Sequence, residues 1–270
     1  MRDDDPAKHA KIDPLASVDP EARLGAGVRV GAFCRVGPDA VLENGVVLES
    51  HVVIDGHTTL GEGTTVGPFT VLGGPPQHLR YGGEPTELVV GRGVVIREQV
   101  SIHRGTEFGG GVTRLGDGAM IMAATHIGHD CQVGEGVIIA SNATLAGHVT
   151  IGDHAFIGGL AGIHQFCRVG KRAIVGGCAA VPRDVIPYGS AFGNHAKLEG
   201  LNVIGMKRAG FSRETISALQ AAAKRIFDSA DGSFAERVAD VAARYGDVPE
   251  VMDIVDFLLE DGKRPILGSR

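Results

Sequence analysis

Tryptophan is absent from this 270-residue chain, and aromatic residues make up only 5% of it. A conventional globular core leans on large rings. Hydrophobic residues still reach 43%, mostly Val, Ile, Leu and Ala. Thin aliphatic layers stack without rings, so this balance points to a repetitive architecture. No apolar run approaches the roughly 20 residues that a membrane-spanning helix needs, so no membrane span is expected. The opening MRDDDPAKHA is acidic and lacks an apolar stretch, which predicts no signal peptide. The net charge of −6 argues against a nucleic-acid partner. Four cysteines, Cys34, Cys131, Cys167 and Cys178, form no CxxC pair. Reduced, structural thiols in a cytoplasmic chain are the expectation.

What the chain has in abundance is glycine, at 41 residues, and a period of six. Steps of six from Ile12 meet Val18, Leu24, Val30, Val36, Leu42, Leu48, Ile54, Leu60, Val66 and Leu72, all aliphatic. The period breaks through GGPPQHLRYGGEPTE (73–87) and resumes at Val90, Ile96 and Ile102. HRGTEFGGGVTR breaks it again and shifts its phase by one. From Leu115 it runs unbroken to Val181. Six is neither the helical period nor plain strand alternation. It fits a solenoid with one hexad per side of a triangular coil, so about 18 residues per turn, stacked like a parallel sheet. The aliphatic residue points inward and its neighbours point outward.

The hexads stop near residue 190, which divides the chain into a 1–190 repeat domain and a 191–270 helical domain. FSRETISALQAAAKRIFDSA places Ile216, Leu219, Ala223, Ile226 and Phe227 at helical spacing, with Ser212 as its N-cap. Ser233 and Glu236 form a capping-box pattern. Pro249 opens a third segment and Gly262 closes it. Three short amphipathic helices are expected, closing the open end of the solenoid.

Residues 126–131 read HIGHDC. In the hexad register His126 precedes the inward Ile127 and His129 follows it by two, so neither is a core residue. His148 lies 19 residues after His129, one coil up and one step across, and should sit close to it. His154 faces another side and reads as a corner residue. Three readings stay open on these residues alone. The string could be a solvated turn, a metal site, or a general base with its carboxylate partner.

A wider set of strings resembles one family. AATHIGHDCQVG, NATLAGHV, GGLAGIHQFCRVG, VGGCAAVP and GNHAKLEGLNVIGMKRAGFSRE are similar to the acyl carrier protein-dependent UDP-N-acetylglucosamine O-acyltransferases that begin lipid A synthesis. SIHRGTEFGGGVT and YGGEPTE match as well, so the likeness spans nearly the whole chain. The resemblance implies a mainly β fold, a left-handed parallel β-helix of hexapeptide repeats with a C-terminal α-helical domain. It implies a homotrimer with sites between adjacent prisms, and no cofactor or metal.

Residue by residue, the resemblance implies that His129 is the base that deprotonates the sugar 3-hydroxyl. It makes Asp130 the orienter of His129 and the Gly147 N–H the oxyanion donor. His126, His148 and His164 match positions lining the sugar and acyl pocket. Gln165 and His195 match diphosphate-side and nucleotide-side contacts, and Asn202 and Arg208 the uridine and phosphate end. Gly177 matches the position that limits acyl length, and glycine there implies a long 3-hydroxyacyl chain. The donor's carrier protein is acidic, so it needs a local basic patch. Lys207, Arg208, Arg213, Lys224 and Arg225 are the candidates, with Arg213 and Lys224 singled out.

Three departures stand out. His78 and Arg80 occupy positions where the family usually has an aspartate and a lysine touching the sugar. Ile204 replaces an acidic residue, and Ala209 replaces the second arginine of a pair. The lost carboxylate beside the nucleophile raises a 3-amino analogue of the sugar as an alternative acceptor. Outside the transferases, a metal-dependent hydratase is the competing reading. The related N-acyltransferases carry a nucleotide-binding domain ahead of the prism, whereas hexads begin here at Ile12.

Overall fold

The computed structural model describes residues 9–268. Most ladder strands are only two residues long, because the chain must turn a corner every six residues. Ile12 pairs with Val30, Val30 with Leu48 and Leu48 with Val66, all parallel, so one coil takes the expected 18 residues. The coils stack into three sheets of 11, 9 and 8 strands, which form the sides of a prism. This is a parallel β-helix.

The hexad aliphatics fill the prism axis, and from Val30 to Val181 they are buried. A second, smaller inward residue stands two positions ahead of each, as in Val28, Cys34, Ala40, Thr58, Thr125 and Ala143. Cys131 and Cys167 belong to this row, which explains them as filling for tight corners. Burial, with a smaller contribution from the Asp130 charge, pushes the Cys131 thiol up to about 12, so it stays protonated and inert.

One position further ahead, the backbone is left-handed. Phe33, His51, Phe69, Asp130, Asn142, His148, Leu160 and Phe166 all have φ between 59° and 66°. Such a conformation costs an L-residue about 1–2 kcal/mol. At several of these corners the ladder holds it, because the residue donates its N–H to the coil below. His51 bonds Ala32, Asn142 bonds Ala123 and His148 bonds His129 in this way.

The two breaks in the period are loops that leave and re-enter the coil without disturbing the ladder. Val66 pairs with Ile96 and Ile96 with Ile121 across them. Both loops run from a strand of the nine-stranded sheet to one of the eight-stranded sheet. They therefore project from the same edge of the prism. HIGHDC turns that edge one coil above the second loop and two above the first, between His126–Ile127 and Gln132–Val133.

Gly189–Phe192 adds a strand to the prism and pairs antiparallel with Lys197–Leu201. Four helices follow: α1 (Val203–Arg208), α2 (Arg213–Phe227), α3 (Phe234–Arg244) and α4 (Pro249–Leu259). Ser212 caps α2, and Ser233 with Glu236 forms the expected capping box on α3. Three helices were expected. The extra one, α1, spans six residues, too few to show a helical period. Ion pairs fasten this region to the prism. Arg168 binds Asp184 (2.7 Å) and Glu260 (2.8 Å), while Lys171 and the buried Tyr188 both hold Asp253.

Candidate active site

The site grows from one left-handed corner. Asp130 holds φ 62°, which swings its carboxylate back toward the preceding residue. Its Oδ2 lies 2.7 Å from His129 Nδ1. His148, one coil above Asp130, lies 3.7 Å from the same oxygen, with its ring edge-on to His129 at 5.0 Å. Phe166, one coil higher again, stacks on His148 at 4.5 Å. The expected closeness of His129 and His148 follows from the coil register.

His129 faces away from the prism axis, yet it is only 9% exposed, and the Asp130 side chain is fully buried. The two loops account for this. His78 in the first loop lies edge-on to His129 at 5.4 Å. Phe108 in the second packs against His78 at 4.6 Å, with the Arg80 guanidinium 4.0 Å over its ring. Gly109 passes so close to Asp130 that an added Cβ would sit 2.3 Å from its carboxyl carbon. Leu79, at the tip of the first loop, is fully exposed.

Burial raises the proton affinity of the Asp130 carboxyl, but hydrogen bonds from His129 and Thr106 outweigh it and hold the group below the ordinary range. The carboxylate is therefore ionised at neutral pH. Burial also lowers the pKa of His148, partly offset by the charge of Asp130. His126 is lowered by burial and by its neighbours His103 and His129. His103 is lowered by burial against a hydrogen bond to the Pro75 carbonyl. Burial thus biases His103, His126 and His148 toward the neutral form around one buried anion.

An imidazole protonated on Nδ1 toward Asp130 leaves Nε2 as a free acceptor. That edge of His129 lies against Gly147, where a Cβ would sit 2.7 Å from Nε2. Glycine at 147 is therefore a requirement for seating the ring. The Gly147 N–H has no hydrogen-bond partner among the described residues, which leaves it available as a donor.

Donor atoms of His129, Asp130 and His148 all lie within 4.8 Å of one another, so the metal reading needs a test of fit. Two ligands at about 2.0–2.1 Å from a tetrahedral zinc are roughly 3.3 Å apart. His129 and Asp130 are 2.7 Å apart, the length of a charge-assisted hydrogen bond. Their geometry is that of a proton-sharing pair.

Two family descriptions match the chain. The UDP-N-acetylglucosamine O-acyltransferase domain 2 covers residues 184–267, and the bacterial transferase hexapeptide (six repeats) covers 113–147. The acyl-[acyl-carrier-protein]–UDP-N-acetylglucosamine O-acyltransferase of Caulobacter vibrioides is 56% identical over 195 residues, 72% of this chain and 74% of its own. The chain belongs to this family of acyltransferases. The same-named protein of Azorhizobium caulinodans is 58% identical over 72% of both chains. Among solved structures, LpxA from Acinetobacter baumannii superposes with a TM-score of 0.92 at 38% identity, covering 95% of this chain and 99% of that one. The UDP-N-acetylglucosamine acyltransferase of Campylobacter jejuni gives 0.91 at 37% identity, covering 96% and 100%.

The other residues expected in a family site fall into several places. His126 accompanies the dyad, held by Ser101 Oγ at 2.8 Å and edge-on to His103 at 5.2 Å. His164 is exposed and its Nδ1 contacts the Gln165 carbonyl, which also accepts from Arg264 at 3.0 Å. His195 lines a separate cavity of about 340 Å³ with Arg183 and Lys197. Asn202 caps α1 by accepting from Gly205 N–H and donates to the Arg172 carbonyl, so its amide is largely committed. Arg208 ends α1, exposed, with Ala209 as the C-cap and an exposed Ile204 one turn before. Gly177 has only the Gly159 carbonyl near its missing Cβ, at 3.3 Å, so a side chain there would project outward from the prism. His154 is an exposed corner residue, as expected.

The basic patch is smaller than expected. Arg225 is tied to Asp240 (2.8 Å) and Ser229 (2.8 Å), so it serves the packing of α2 on α3. Arg213 is exposed at the start of α2, and Lys224 lines a cavity of about 600 Å³ with Leu198, Gln220 and Phe227. Four residues that structure the site had no role assigned from sequence: Phe108, Thr106, Thr113 and Ser101. A signal was present in TEFGGG, since consecutive glycines mark backbone that must turn or approach closely.

Proposed function

We propose that this chain transfers a 3-hydroxyacyl group from acyl carrier protein to the 3-hydroxyl of UDP-N-acetylglucosamine, the first step of lipid A biosynthesis, with His129 as general base. The observation that carries this reading is the buried His129–Asp130 pair whose free Nε2 edge faces Gly147. In the reaction, Nε2 takes the hydroxyl proton as the oxygen attacks the thioester carbonyl. Asp130 stabilises the imidazolium that results. The Gly147 N–H donates to the developing oxyanion, and the C–S bond then breaks. The carrier's thiolate leaves with the proton returned by His129. The names of the relatives support the substrates.

Arg80 and His78 border the sugar side, Arg208 and His195 the nucleotide side, and Gly177 leaves the acyl track open. Arg213 and Lys224 are the cations offered to the acidic carrier. A homotrimer places the cleft between prisms, and the exposed Phe33, Phe69 and Leu160 along one edge support such an assembly. No helix among the described residues is long and apolar enough to cross a membrane. A donor carried on acyl carrier protein supports a cytoplasmic location.

His129→Ala should lower transfer by roughly 10²–10⁴-fold with an unchanged melting temperature. Retained transfer would remove His129 as base. A second reading has its own observation. His78 stands against His129 where the family has a carboxylate, and burial biases the neighbouring imidazoles toward the neutral form. A neutral lining favours an amine in its uncharged, nucleophilic form, which suits a 3-amino sugar and an amide product. Competition between the two sugar nucleotides separates the readings, and a strong preference for the 3-hydroxy sugar excludes the amine.

A further inference from the structure

We infer that Thr106 is a positioning residue of the dyad, acting on His129 through Asp130; the inference rests on the reading of His129 as the base. Thr106 lies in the second interrupting loop and is fully buried. Its backbone N–H donates to Asp130 Oδ1 at 2.8 Å. Its hydroxyl donates to Asp130 Oδ2 at 2.6 Å, the same oxygen that faces His129 Nδ1. The opposite side of Asp130 is fixed too, because its N–H donates to Thr113 Oγ1 at 2.8 Å.

The position of Thr106 makes this use of the hydroxyl informative. It is the N-cap of the 3-10 turn Glu107–Gly109, where a threonine side chain ordinarily accepts from the turn's own N–H groups. Here the side chain makes no capping bond. The turn is closed instead by the Thr106 carbonyl, which accepts from Gly109 and Gly111. The hydroxyl is given up to the carboxylate. Since Asp130 is ionised and acceptor-only, the hydroxyl must donate, which fixes its rotor. Two donors then grip one carboxylate from outside the prism, and the remaining approaches to Oδ2 are His129 at 2.7 Å and, beyond hydrogen-bond distance, His148 at 3.7 Å.

Two consequences follow. The Asp130 plane is locked, so the imidazole is held in the Nδ1–H tautomer with Nε2 presented to the acceptor. The carboxylate also shares its charge with the hydroxyl, which moderates how strongly it retains a proton on the pair.

The test is Thr106→Val, which keeps shape and backbone donor and removes only the hydroxyl, with Thr106→Ser as rescue. Expected for valine is a fall in kcat of roughly 10- to 100-fold, the scale of a misplacement of up to about 1 Å. The KM for the sugar nucleotide should stay within about twofold. The acid limb of the pH–rate profile, a property of the pair, should move to higher pH. Serine should restore both. A valine variant with unchanged kcat and pH profile overturns the inference, as does a loss that appears in KM. A loss that serine fails to restore also overturns it. His129→Ala assayed alongside separates the cases: if it stays active, the base reading fails, and if it alone is inactive, only the role of Thr106 fails.

Discussion

Two histidine–carboxylate pairs lie along one edge of the prism, three coils apart. His57 and Asp39 approach to 3.6 Å, with side chains 44% and 49% exposed. His129 and Asp130 approach to 2.7 Å, with side chains 11% and 0% exposed. The residue types and the edge are shared. The difference is what lies outside. The lower pair faces water, where an ion pair contributes little. The upper pair sits beneath two loops that exclude water and add two donors from Thr106. A repeating scaffold offers the same corner again and again, and the pair proposed to do the chemistry is the one where insertions break the repeat.

The largest effect expected from this comparison is Asp130→Asn against Asp39→Asn. Losing the buried carboxylate should cut transfer by roughly 10²–10⁴-fold. The Asp39 change should alter neither rate nor melting temperature. Equal effects would mean that the loops are not what separates the pairs. Next comes Gly109→Ala. The added methyl meets the Asp130 carboxyl at 2.3 Å, so overpacking should cost about 1–3 kcal/mol in chemical denaturation and displace the dyad. Gly162→Ala, with nothing within 4 Å of its Cβ position, should stay within about 0.5 kcal/mol.

The smallest effect is on pH-dependent stability. His103, His126 and His148 have folded pKa values below the ordinary value, chiefly through burial. The unfolded chain then binds more protons just below about pH 6.5. Their contribution is full above that pH and is lost as the pH falls through it. Urea unfolding at about pH 7.5 and about pH 5.5 should show this loss, and His148→Gln should reduce it. A slope unchanged in that variant would remove His148 as a contributor.

The period of six made the prism, its 18-residue coil and the outward placement of His126 and His129 legible without coordinates. Helix caps were legible too, at Ser212 and Ser233, because they depend on residues three apart. Arg225 was not: its pairing with Asp240 joins two helices, and a charge on a helix looks the same paired or free. The burial of His129 was equally hidden, since outward from the core usually means exposed. Thr106 reaches Asp130 from 24 residues away, across a loop that has no period to read.

The sequence by itself therefore determined the repeat, the family and which residues carry reactive groups, because each hexad encodes its own inward residue and its own turn. Only the tertiary structure decided which histidine–carboxylate pair is dry, which hydroxyl grips the carboxylate and which cations remain free. Those outcomes depend on two loops folding over one edge of the prism. Water exclusion is a property of everything packed around a group, and no local string of residues contains it.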